Sequence, residues 1–208
     1  VSDFGFTARL PLALTLDANN NLYVADGNNR VTMHFPSMRA TNSGHQLSRL
    51  APYTHTTLRP TGFNRFGDAT LNFKDEGGAT AMPTALGDIE VVVNEERAPI
   101  QSVSPEKIEF VIPQTIAPSN SVSVVVQRLS TGSIVAAGTL VLAQAAPALF
   151  TTTGDGSGQV QAKNPDGTAN SATDRVGRGE VVSLFGTGFG VPSGLPPDGQ
   201  PAPDKMNG

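Results

Sequence analysis

Leu12, Leu14 and Leu16 alternate with smaller or polar residues, a DANNN turn follows, and Leu22 to Ala25 makes a second short apolar run. DGNN comes next, then Val31 to Phe35. Period-two alternation marks a strand with one face turned inward, and Asn-rich or Asp-Gly turns between such runs mark hairpins. Residues 10–35 therefore read as three short strands. Residues 36–85 are irregular, with strands expected inside YTHTTLRP (53–60) and DATLNFK (68–74). From residue 86 the alternation sharpens. It runs through Ile89, Val91 and Val93, then Ile108, Phe110 and Ile112, then Val122, Val124 and Val126, and ends in GTLVLAQA from Gly138. Four such strands with turns between them predict a β-sandwich. Its core is expected to hold Ile89, Val91, Ile108, Phe110, Val122, Val124 and Val141.

LPLALTLDANNNLYVADGNNRVTMHF (10–35) resembles an NHL repeat, one blade of a β-propeller. A propeller needs several blades, and a lone blade must pack its faces on something else. Further on, VVVNEERAPIQSVSPEKIEFVIP, AAPALFTTTGDGSGQVQAKNPDGTANS and RGEVVSLFGTGFG occur in that order. Over about residues 84–203 they resemble the immunoglobulin-like, TIG-like C-terminal domain family of large secreted acidobacterial proteins. The resemblance implies fold and an extracellular or cell-surface location rather than an activity. A module of that family opens with a strand like RGEVVSLFGTGFG, and the segment before residue 84 has no clean copy, so the first opening strand is expected within 54–73. RGEVVSLFGTGFG itself (178–190) would open a second module, with Val181, Ser183 and Phe185 on one face and Val182 and Leu184 on the other. Only turn and linker residues follow it. The expected fold is all-β: an NHL-like hairpin segment (1–47), an immunoglobulin-like sandwich (48–148), and a linker with an incomplete second module (149–208).

Composition agrees. Charged residues are 15% and hydrophobic residues 38%, which is too apolar for a disordered chain. Gly 22 and Pro 16 make about 18% of the 208 residues, above the roughly 12% average, as suits many short strands joined by turns. With no cysteine there can be no disulfide or thiolate chemistry. No apolar run reaches the ~18 residues of a membrane helix, and no N-glycosylation sequon occurs. The chain opens at Val1 without a leader, so processing or excision from a longer protein is expected.

Charge is unevenly placed. Residues 30–67 hold Arg30, Arg39, Arg49, Arg59 and Arg65 with no acid, leaving nine basic and eighteen acidic residues elsewhere. The arginines are spread singly and no nucleic-acid motif accompanies them, so a solvated or self-complementary surface is expected rather than a nucleic-acid contact.

Candidate chemistry is sparse. Asp17, Asn19 and Asn21 match the first three ligand positions of a calcium loop. Leu22 stands where that loop needs Gly, and Asn28 stands where it needs Glu. Hairpin-turn chemistry accounts for the same residues, and no cofactor or obligatory metal is expected. GTGFG (186–190) has glycines like a dinucleotide loop, but VPSGLPP forbids the helix that must follow. His34, His45 and His55 lack metal-site spacing, and no nucleophile elbow is present. A non-catalytic protein is expected.

Three function classes follow: a structural subunit of a surface filament or stalk, a carbohydrate-binding or adhesion module, and an accessory region of a larger secreted enzyme. With no Trp and only Tyr23 and Tyr53, a sugar-stacking platform is poorly supplied. Both ends look unfinished, which points to self-association by strand complementation between copies. The expected interface is Leu12, Leu14, Val181, Leu184 and Phe185, with surface glycans as a second class of partner. The competing expectation is a fragment whose neighbouring sequence completes both ends.

Overall fold

The predicted alternation closes into antiparallel ladders throughout the computed structural model, which describes residues 11–17, 21–61, 65–67, 69–75 and 80–201. Among these, the one helical element is a 3-10 turn at Phe73–Asp75. The protein is all-β.

Strands β1 (Pro11–Leu16), β2 (Leu22–Asp26) and β3 (Arg30–His34) form a three-stranded sheet in that order. The turn between β2 and β3 explains its own sequence. Asp26 is buried and accepts the Asn28 N–H at 3.0 Å, and the Arg30 guanidinium meets it at 2.6 Å. Asn29 takes a left-handed φ of 59°, which Asn tolerates.

Strands β4 (Met38–Asn42), β5 (His55–Pro60), β6 (Leu71–Asn72), β7 (Ala85–Leu86), β8 (Ile89–Val93), β9 (Glu96–Arg97), β10 (Ile100–Val103), β11 (Ile108–Val111), β12 (Ser119–Arg128) and β13 (Ile134–Leu142) build the sandwich. One sheet has the order β4-β5-β11-β10-β6. The other runs β13-β12-β8-β7, with β9 also on β8. Leu58, Ile100, Ile108 and Phe110 of the first meet Val91, Val93, Val122 and Val124 of the second in one buried cluster. Each such side chain, fully buried, contributes roughly 1.5–3 kcal/mol.

The alternation located most of this core, with one correction. Val141 is 57% exposed, whereas Leu140 and Leu142 are buried. Leu140 lies opposite Val122 in the ladder, so the leucines carry the inward phase of GTLVLAQA. A one-residue change of phase exchanges the two faces of a strand. In the irregular stretch, β5 and β6 fall inside the two expected segments. Strand β4 extends the first sheet back to Met38, although MRATN has no apolar alternation.

After β13 the chain doubles back over the first sheet. The expected long strand over 178–190 is confined to β16 (Ser183–Leu184) and β17 (Gly186–Thr187), which pair with β15 (Ala162–Lys163) and β14 (Ala148–Leu149). Gly188, at φ +77°, shows why: a Cβ there would lie 2.2 Å from the Ala146 carbonyl oxygen. Only glycine lets the two backbones approach so closely, and the Ala146 N–H donates to the Gly188 carbonyl at 2.7 Å. Beyond it the arm crosses the sandwich. Met82 N–H donates to Gly199 O at 2.8 Å, and Gln114 N–H to the Asp198 carboxylate at 3.2 Å.

Candidate functional site

The outer face of the first sheet and the returning arm enclose two adjoining clefts, and His55 and Phe150 belong to both. Antiparallel pairing sets His55 and Thr57 of β5 opposite Val111 and Glu109 of β11, with Arg59 just beyond the paired stretch. Residues directly opposite share a face, so His55 and Thr57 join Val111 and Glu109 on the side away from the core. His55 and Phe150 meet edge to face, with ring centroids 6.0 Å apart and planes at 85°.

The first cleft, about 330 Å³, is apolar, with Tyr53, Val111, Phe150 and Phe189 among its walls. The second, about 430 Å³, is polar, and Gln46, Arg59, Gln101, Lys107, Glu109 and Gln161 line it. Both volumes lie within or near the range of small-molecule sites.

Hydrogen bonds set the polar cleft. Lys107 Nζ meets Glu109 Oε1 at 2.8 Å, and the Ser102 hydroxyl donates to Glu109 Oε2 at 2.7 Å. Burial alone would raise the Glu109 carboxyl. The bonds from Lys107 and Ser102, with the charges of Lys107 and Arg59, outweigh it and hold the group below the ordinary glutamate value. Burial pushes His55 below the usual histidine value, and the Glu109 charge and a hydrogen bond to Gln101 only partly oppose it. His55 is therefore neutral at pH 7. The Ser43 and Thr57 hydroxyls bond each other at 2.9 Å, and the Thr41 hydroxyl donates to Gln46 Oε1 at 3.2 Å.

No known protein family, curated protein or solved structure matches the chain. The site is therefore read from its own residues.

Sequence reasoning missed this cleft because its members come from four separated stretches without a spacing motif. The legible signal was confined to the ends of β5, where His55 and Arg59 flank the buried Thr56–Leu58. The three histidines stay apart in use: His45 Nδ1 accepts the Leu47 N–H at 3.0 Å, and His34 Nε2 lies 3.3 Å from the Thr32 hydroxyl.

Of the calcium-loop candidates, Asn19 lies outside the described residues. Asp17 accepts the Asn21 N–H at 2.9 Å, the Asn21 side-chain amide at 2.8 Å and the Tyr23 hydroxyl at 3.3 Å. Its carboxylate is engaged in closing the hairpin turn. Among the described residues no group of three or more His, Asp and Glu stands close enough to hold a metal ion, and no helix is long and apolar enough to cross a membrane.

The predicted interface residues all have outward side chains. Leu12 and Leu14 lie on β1, 74% and 62% exposed, and Val181 precedes β16 at 80%. Leu184 and Phe185 are also exposed, and Lys163 Nζ sits 5.9 Å from the centre of the Phe185 ring. The backbone there differs from expectation. Phe185 donates to Gln161 O at 3.2 Å and accepts from Phe150 N–H at 2.9 Å. Its main-chain groups are paired within the chain, and only its side chain is left outward.

Proposed function

We propose that this protein is a non-catalytic extracellular structural subunit, its copies joined head to tail into a surface filament or stalk. In this reading the three-stranded sheet is an NHL-like blade and the sandwich is immunoglobulin-like. One observation carries it: two separate regions of the molecule each leave several large apolar side chains in water. On the blade, Leu14 and Leu16 lie opposite Val24 and Leu22 on one face, with Leu12 exposed at the bulge of β1, and Val31 and Met33 lie on the other face; on the arm they are Val181, Leu184, Phe185, Phe189 and Val191. Exposed leucines scattered singly carry no meaning, whereas contiguous apolar surface marks a contact.

The occupant of each surface is the other surface on a second copy. Strand β1 has β2 on one side and, among the described residues, nothing on the other, so its outer edge suits strand addition. The arm contributes apolar side chains rather than a free strand over Ser183–Thr187, because its backbone there is already paired. The basic stretch of residues 30–67 follows the blade, and the acidic excess lies elsewhere, which favours unlike ends meeting. Two different surfaces joined in this way do not close on themselves, and the product is an open filament.

Sedimentation velocity across a concentration series, with electron microscopy of the same samples, tests the reading. The wild type is expected to form filaments. Leu12→Asp/Leu14→Asp, and deletion of residues 1–35, are expected to give a monomer with a folded sandwich. A wild type that stays monomeric at the highest concentration, or a deleted protein that still polymerises, overturns it.

A further inference from the structure

We infer that the polar cleft between β5, β11 and the returning arm binds a carboxylated sugar, such as one uronic-acid unit of an acidic polysaccharide. The inference does not depend on filament formation, because the cleft is complete within one copy.

Charge selects the class of ligand. The cleft holds two cations, Arg59 and Lys107, against one carboxylate, Glu109. Glu109 is committed to Lys107 and to the Ser102 hydroxyl. Arg59 makes no hydrogen bond or ion pair among the described residues, so one positive charge is left over. A guanidinium presents a planar fork of donors that matches a carboxylate with two parallel bonds. An anion carrying one carboxylate completes the site.

The remaining walls argue for a sugar rather than a bare anion. A simple anion would use Arg59 and leave the rest idle. The cleft also presents three side-chain amides, Gln46, Gln101 and Gln161, beside the Ser43 and Thr57 hydroxyls. These groups both donate and accept, as sugar hydroxyls require. Several are already oriented by the protein: Gln161 Nε2 donates to Thr151 O at 2.9 Å, and Gln46 Nε2 to Gly154 O at 3.3 Å. Phe150, held edge-on by His55, supplies an apolar wall for the C–H face of a pyranose ring. A volume of about 430 Å³ is in the range of small-molecule sites and accommodates a short saccharide.

Calorimetric and NMR titration of the intact chain with trigalacturonate tests this, set against galactotriose, acetate and a tripeptide with a free carboxyl. Trigalacturonate is expected to bind most tightly. Arg59→Gln should weaken it roughly tenfold or more, the loss of one hydrogen bond to a charged group, and Arg59→Lys by less. Arg128→Gln, on β12 of the other sheet and paired with Asp88, should leave the affinity unchanged. Glu109→Gln removes the only carboxylate and should strengthen binding. Equal affinity for galactotriose overturns the carboxylate assignment. Equal affinity for acetate, or tighter binding of the peptide, overturns the sugar assignment, and absence of binding by all four probes overturns the site. Arg59 is exposed, so Arg59→Gln is expected to fold; an unchanged circular dichroism spectrum verifies this, and Glu109→Gln remains decisive in any case.

Discussion

The main-chain N–H of His55 donates to the hydroxyl of Thr187 at 2.7 Å, joining the start of β5 to the arm 132 residues further along. Thr187 is buried, so the bond is screened from water. Thr187→Val keeps the shape and removes the acceptor. A buried donor left unsatisfied costs roughly 1–3 kcal/mol, to be read as a lower urea midpoint. Thr187→Ser should retain most of the stability; a Val variant as stable as the wild type would show that the bond contributes nothing.

Gly188→Ala is expected to lift the arm without unfolding the sandwich. A methyl group meets the Ala146 carbonyl, and the left-handed φ adds backbone strain. Hydrogen exchange should accelerate at Ala146 and Met82 while the amides of β8 and β12 stay protected. Uniform acceleration would mean that arm and sandwich unfold as one unit.

The phase of β13 gives a paired test. Leu140→Ala should destabilise by roughly 2–5 kcal/mol, as truncation of a buried leucine does. Val141→Ala should change stability by no more than about 0.5 kcal/mol, as at an exposed site. Chemical denaturation of the two variants side by side checks it, and the reverse order would return Val141 to the core.

Stability should fall as the medium is acidified through the histidine range. Burial lowers the His55 value in the folded protein, so the unfolded chain takes up a proton first. The contribution is fully present above about pH 6.5 and is lost as pH drops from there towards the lower folded value. His45 is also lowered, by burial and by the Arg49 charge, and acts with the same sign. Urea midpoints between pH 8 and pH 5 should therefore decline, with a shallower slope in His55→Gln.

Chelation should leave the melting temperature where it is, because the Asp17 carboxylate already has its hydrogen-bond donors in Asn21 and Tyr23. A fall with EDTA that calcium restores would identify the β1–β2 turn as a metal loop.

What could be read in advance followed side-chain chemistry. The strands carrying Ile89, Val91, Ile108, Phe110, Val122 and Val124 were legible because their apolar alternation reports one buried face. The turn at Asp26–Arg30 was legible because Asn and Asp-Gly chemistry is local. Strand β4 was not, since only the small Ala40 joins the apolar core, while Thr41 and Asn42 are buried through backbone pairing and side-chain hydrogen bonds. The polar cleft was invisible for a related reason. Arg59, Glu109 and Gln161 become neighbours only once β5 pairs with β11 and the arm returns, and neither event is written in a local spacing.

Within the arm the ladders are two residue pairs long, and single hydrogen bonds from His55, Met82 and Gln114 tie it to the sandwich, whereas β12 and β13 share a ladder spanning most of their length. Load and strength are therefore unequally distributed along the chain. A pull on the arm would meet only these short ladders and single bonds before it reached the long one. In a filament of the kind proposed, slack would be released from the arms before any sandwich was torn open.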